Sequence, residues 1–154
     1  MGNLFSLLTS FRGRISRKPW WIGFVIVFLG SLFGTLLFNP EMFTSEELPP
    51  ARWPDTIWQL IWLFPGTAIT VKRFNDRDRP AWLGYAFAAL GVFLYVTPHF
   101  GLLIDPGAEA LGAIVFWLST VFLLLVFVDN GFLRGTVGPN RYGPDPLPGS
   151  PPPA

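Results

Sequence analysis

The sequence of 154 residues has no cysteine and a single histidine, and only 14% of its residues are charged. Without cysteine there is no disulfide, no thiol nucleophile and no thiolate metal site, and the redox compartment stays undetermined. His99 stands between Pro98 and Phe100 with no second histidine to help it hold a metal, and no Ser/His/Asp set is legible. It reads as a plain interfacial histidine. The charged fraction falls well below the roughly 25% of soluble domains, while 51% of residues are hydrophobic and 17% aromatic. Such a chain belongs in lipid. Its apolar runs lack ionisable side chains near their centres, where each would cost about 2.5–3.5 kcal/mol, and this disfavours a proton-coupled pump with a buried relay. The first run ends at Asn39-Pro40 without a small-residue cleavage pattern and exceeds a signal-peptide core in length, so it is expected to be retained.

The few charges are distributed unevenly. Arg12, Arg14, Arg17, Lys18, Lys72, Arg73, Arg77, Arg79, Arg134 and Arg141 lie before the first, between the second and third, and after the last of four apolar stretches. Only Arg52 falls elsewhere. Glu41, Glu46, Glu47, Asp55, Asp105 and Glu109 occupy the intervening loops, an asymmetry that the formal net charge of +1 conceals. Because Lys and Arg flanking short loops are retained on the cytoplasmic side, the pattern predicts both termini inside. Attraction to anionic headgroups, about 1 kcal/mol per basic residue near the surface, accounts for these loops more economically than nucleic acid, which is not expected as a partner.

The fold class expected is an all-α membrane protein. Residues 1–18 form an interfacial helix, with Leu4, Leu7, Leu8 and Phe11 at helical spacing, followed by a basic segment. Residues 19–132 form a four-helix transmembrane domain with spans at about 20–38, 55–71, 81–96 and 110–128; the first is long enough for a hydrocarbon core of about 30 Å, and the second is short. A cytoplasmic segment, 133–146, and a Pro-rich flexible tail, 147–154, complete the chain. Trp20, Trp21 and Trp82 suit the interface. Gly30-x-x-x-Gly34 predicts close helix approach within the monomer in preference to a homodimer. Pro65-Gly66 predicts a kink in the second span, freeing the carbonyl of Ile61, with Thr67 and Thr70 placed to satisfy backbone groups nearby. Gln59, the one strongly polar residue of that span, is expected to bond a neighbouring helix.

Three segments carry a resemblance. Phe11-Arg12-Gly13-Arg14-Ile15-Ser16-Arg17 leads into Trp20-Trp21; Arg73-Phe74-Asn75-Asp76 precedes Trp82; Gly138-Pro139-Asn140-Arg141-Tyr142-Gly143-Pro144-Asp145-Pro146 closes the chain's motif region. In this order they resemble the bacterial inner-membrane proteins grouped as the domain of unknown function 805 family, over nearly the whole chain to Pro146. The departures are Asn75 where the family usually has His, and Asp78-Arg79-Pro80 where it has a small-residue turn. The resemblance implies four spans, a bacterial inner-membrane location and a cytoplasmic motif face. It implies no substrate.

The expected function is therefore that of a non-enzymatic membrane scaffold. Arg12, Arg14, Arg17, Arg73, Asp76, Asn140, Arg141, Tyr142 and Asp145 would form a cytoplasmic platform for membrane lipids, anionic ones among them, or for a protein partner or a second copy of the chain. The alternation of signs from Lys72 to Arg79 fits an internal brace as well as a grip on a headgroup. The alternative is a small oligomeric transporter or channel that uses the Pro65-Gly66 break and Gln59. No metal or cofactor is expected, and Glu41, Glu46 and Glu47 read as solvated.

Overall fold

The computed structural model describes residues 3–46, 49–102, 107 and 109–147. Glu47, Asp105 and the expected tail beyond Leu147 lie outside the described residues. The helices are α1 (Leu4–Thr9), α2 (Arg17–Phe38), α3 (Trp53–Asp76), α4 (Trp82–Val96) and α5 (Ala110–Gly131), with 3-10 turns at Pro40–Phe43 and Thr97–Phe100. Among the described residues there is no strand, only an isolated bridge between Asn140 and Gly143.

Missing side chains set the register of the bundle. A Cβ on Gly23, Gly30 or Gly34 of α2 would lie 2.9, 2.2 or 1.9 Å from Ile69, Trp62 or Trp58 of α3. The partner's number falls as the glycine's rises, so the two helices run antiparallel. Bare backbone lets the indoles lie flat against α2, and Trp58 Nε1 donates to the Gly30 carbonyl at 2.8 Å. Gly30 and Gly34 are thus used inside the monomer. Gly84 and Gly91 of α4 receive Val71 and Leu63 in the same manner, and Gly131 of α5 meets Trp20 and Trp21 of α2. The starts of α2 and α4 and the ends of α3 and α5 therefore share one end of the bundle.

Helix limits differ from the sequence reading where polar residues find partners. α2 begins at Arg17, with Pro19 in its first turn, where a missing N–H costs nothing. α3 begins at Trp53 and runs to Asp76, so Lys72-Arg73-Phe74-Asn75-Asp76, expected in a loop, are helical and buried. α5 reaches Gly131, past the expected Val128. The interruption expected at Pro65-Gly66 does not end α3, which is continuous through it. Thr67 Oγ1 donates to the Leu63 carbonyl at 2.7 Å and not to that of Ile61.

Among the described residues three helices are long and apolar enough to cross a membrane: α2, α4 with its following turn, and α5. Their outward side chains, such as Phe28, Phe33, Leu118 and Leu125, are more than half exposed, a surface that lipid would cover. α3 does not meet that criterion, because Asp55, Gln59, Lys72, Arg73 and Asp76 lower its apolarity. It packs against α1, α2 and α4, so protein, not lipid, surrounds most of its polar groups.

Gly34→Ala is expected to cost about 1–3 kcal/mol through overpacking on Trp58. Gly66→Ala, whose Cβ would meet Val27 at an ordinary 3.5 Å, is expected to leave stability unchanged. Thermal unfolding of both variants in mild detergent, followed by near-UV circular dichroism, makes the comparison.

Candidate functional site

Asp76 closes α3, and its side chain is 4% exposed between those of Arg14 and Arg73, each 1% exposed. Arg14 Nε donates to Asp76 Oδ1 at 3.1 Å. Arg73, three residues earlier on the same helix face, pairs with Oδ2. Gly135 crosses directly above, where a Cβ would stand 2.0 Å from Oδ2. Burial raises the Asp76 pKa above the ordinary carboxylate range, and the charges of Arg73 and Arg14 oppose the rise.

Each guanidinium has N–H groups left over after the carboxylate is met, and these reach backbone carbonyls. Arg14 donates to Thr136 at 2.7 Å, Gly138 at 2.7 Å and Gly143 at 3.2 Å. Arg73 donates to Asn130 at 2.7 Å, to Ile15 at 3.5 Å and to Leu133. Backbone links reinforce the knot: Thr136 donates to the Asp76 carbonyl through its N–H at 2.8 Å and its hydroxyl at 3.0 Å. Asn75 Nδ2 donates to the Gly13 carbonyl at 3.0 Å, and Asn140 Nδ2 to the Asn75 carbonyl at 2.9 Å. Asn75 thus joins the N-terminal segment to the tail without a titratable ring.

The tail is fixed by its own polar residues. Asn140 Oδ1 accepts from the Tyr142 N–H at 2.9 Å, and Asp145 Oδ2 accepts from the Gly138 N–H at 2.8 Å. Gly138 at φ +77° and Gly143 at φ +133° take backbone conformations that suit glycine. Arg141 lies at the edge, paired with Asp78 at 3.1 Å, its guanidinium 4.9 Å above the Tyr142 ring. Of the nine residues expected in the platform, Arg14, Arg73, Asp76, Asn140, Tyr142 and Asp145 come together in the knot. Arg17 touches its border through the Phe132 carbonyl at 3.2 Å.

Arg12 stands apart, on a groove of about 650 Å³ between α1 and the start of α2. Leu4, Leu7 and Ile22 supply its apolar wall, and Arg12, Lys18 and Lys72 its cations. Lys72 Nζ donates to the carbonyls of Ser6 at 2.9 Å and Leu7 at 2.6 Å, holding α1 in place. Burial lowers its pKa from the usual 10.5 to about 8. The charged ends of Arg12 and Lys18 have no protein partner among the described residues.

Sequence reasoning passed over two members of this end. Asp129, in the last turn of α5, forms a 2.8 Å pair with Arg77 and lies 3.9 Å from Arg79. Its position between an apolar helix and a basic loop was the available signal. Thr136, a lone hydroxyl in an irregular segment, offered none. Gln59 bonds α2, as expected of it.

A family model described as a protein of unknown function, DUF805, matches residues 8–144. The chain is similar to the uncharacterized protein YiiR of Escherichia coli K12, with 32% identity over 138 residues, 90% of this chain and 86% of the relative. The inner membrane proteins YhaH and YhaI of the same strain are each 28% identical, over 88% and 91% of this chain and 86% and 88% of their own lengths. No solved structure matches the chain.

Asp76→Asn leaves two buried guanidiniums without a counter-charge, a change that costs about 3–5 kcal/mol when one partner of a buried pair is removed. The expected result is a large loss of thermal stability in detergent together with protease sensitivity after Gly131, where most of the buried bonds to the tail run through this knot. An Asp76→Asn protein that melts and resists cleavage like the parent would show that the carboxylate is not the tie.

Proposed function

The chain belongs to the DUF805 family of proteins of unknown function, and we propose that it is a non-enzymatic inner-membrane protein that holds an anionic phospholipid at its cytoplasmic face. The observation that carries this reading is the groove between α1 and α2. Arg14, Arg73 and Asp76 are saturated by one another and by carbonyls, so they brace the surface instead of gripping a ligand. Among the described residues the charged ends of Arg12 and Lys18 have no partner, and they lie beside Leu4, Leu7 and Ile22. That is the arrangement a lipid phosphate and its acyl chains require: cations at headgroup level, apolar wall below. Asn140, Tyr142 and Asp145 belong to the brace, folding the tail and tying it to Asn75.

The proposed topology has four crossings and both ends in the cytoplasm. α3 runs antiparallel to α2 and is as long, 24 residues against 22, so it crosses wherever α2 does, over about residues 55–71. Ten of the eleven basic residues lie at the end shared by the knot, which favours that end as cytoplasmic. Relatives named as inner membrane proteins support the location.

Two measurements test the reading. Replacing Arg12 and Lys18 together by Ala is expected to weaken phosphatidylglycerol retention roughly thirtyfold, about 2 kcal/mol for two interfacial cations, as counted by native mass spectrometry; unchanged retention would sink the lipid assignment. The absence of cysteine gives a clean background for topology: Glu46→Cys should react with an impermeant maleimide from the periplasmic side, and Arg134→Cys only after the membrane is opened. The reverse pattern would invert the protein.

A further inference from the structure

The end of the bundle away from the knot holds a second polar cluster. Ser31 and Thr35 of α2 face Asp55 and Gln59 of α3. Gln59 Nε2 donates to Thr35 Oγ1 at 2.7 Å, to Asp55 Oδ1 at 3.1 Å and to the Ser31 carbonyl at 3.2 Å. The Ser31 hydroxyl returns a bond to Gln59 Oε1. Thr35 Oγ1 donates to Asp55 Oδ1 at 3.2 Å. Every donor of the cluster therefore serves one carboxylate oxygen or stays within the cluster, and Asp55 Oδ2 has no hydrogen bond among the described residues, although Tyr95 of α4 lines the same cleft within reach of its charge.

Asn39 supplies the second observation. It caps α2, it is 3% exposed, and its Oδ1 is buried without a partner. A buried acceptor left unpaired costs stability unless something donates to it. Asn39 and Asp55 border the same cleft of about 430 Å³, whose wall includes Phe28 and Leu32 of α2, Leu94 and Tyr95 of α4 and Pro98 of the turn that follows. That volume lies within the about 300–1,000 Å³ of small-molecule sites, and a few placed polar groups on an apolar wall are their usual make-up.

The chemistry of the surplus selects the ligand. Both free atoms are acceptors, so the ligand must bring donors. One is a carboxylate, and the nearby Arg52 is already paired with Glu41 at 2.7 Å, so the site's own charge stays negative. Among the described residues no three of His, Cys, Asp and Glu cluster, too few oxygens for a divalent cation that takes six or more. We propose that this cleft binds a primary ammonium group. Its N–H bonds go to Asp55 Oδ2 and Asn39 Oδ1, and its hydrocarbon part lies on the apolar wall. The ammonium can come from an aminophospholipid headgroup or from a free amine, which the experiment separates.

The full-length protein is placed in nanodiscs containing phosphatidylethanolamine and phosphatidylcholine in equal amounts. The second lipid keeps the positive charge but has no N–H. Native mass spectrometry counts what stays bound, and ethanolamine is titrated into protein held in pure phosphatidylcholine with the melting temperature as readout. Wild type is expected to prefer phosphatidylethanolamine by about tenfold or more, the weight of one charge-assisted bond. Asp55→Asn should abolish the preference, and because Asn retains an Oδ1 for Thr35 and Gln59 it keeps the helix contact. Asn39→Leu should weaken it independently. A melting shift with ethanolamine, lost in Asp55→Asn and without any lipid preference, assigns a free amine to the cleft. Equal retention of the two lipids with no ethanolamine shift overturns the proposal, as does a preference that survives both substitutions.

Discussion

A single carboxylate organises the basic end of this protein. Asp76 is out of water, and a buried charge persists only when its lone pairs are met by charged or strongly polar donors. Two guanidiniums meet them, one from the segment before α2 and one from α3 itself. Since a guanidinium carries five N–H donors in a fixed plane, neither is exhausted by the carboxylate, and the remainder reach carbonyls at Asn130, Leu133, Thr136, Gly138 and Gly143. Among the described residues the segment after α5 has no helix or strand, only the Asn140–Gly143 bridge, so few of its carbonyls meet a backbone donor. Arginine does it for them, and lysine, with one compact ammonium, would not span the same set. The fold of the tail is thus a consequence of the charge on α3.

The same dependence explains why the most polar long helix sits where it does. A lipid-facing helix must be apolar around its surface, but one enclosed by neighbours needs apolarity only where no partner is offered. α3 lies against α1, α2 and α4, and its polar side chains are spent at its two ends. Lys72 illustrates the economy: one buried amine terminates α1 and fixes the wall of the groove between α1 and α2. The groove exists because the knot does not need Arg12 or Lys18.

Much of this was legible in the sequence, and what was not has a common cause. Helix positions follow from apolar runs, and the gathering of the basic residues at one end of the bundle from where Lys and Arg recur. Gly30 and Gly34 announced close packing. Arg14, Arg73, Asp76, Asn140 and Asp145 stood out as a polar set. Whether such a set braces or binds depends on burial, which is tertiary: Arg73 is 0% exposed and Arg12 exposed, yet each is one arginine in a basic stretch. The cluster around Asp55 was hidden for a related reason. Its only trace is a pair of i, i+4 spacings, 31 and 35 on one helix, 55 and 59 on the next, and these coincide only once the glycine–indole register sets the two helices side by side. Local pattern cannot supply that alignment, because it is fixed by contacts between residues far apart in the chain.

The two carboxylates of α3 give the proposed topology a physical measure. At 1.5 Å per residue, Asp55 and Asp76 are separated by about 31 Å along the helix, close to the about 30 Å of a hydrocarbon core. Between Gln59 and Lys72 the helix carries no charge and only hydroxyl side chains as polar groups. A helix whose charges are spaced by the thickness of the barrier, and whose interior has none, is built to put each charge at an interface. The two interfaces are not treated alike. At the basic end the carboxylate is closed between two arginines, so in the proposed orientation cations are held permanently where the positive-inside rule retains them. At the other end no protein cation closes on Asp55, and Arg52, the one basic residue on that side, is given to Glu41. A carboxylate left open at the opposite interface is a place where the positive charge comes from outside the chain.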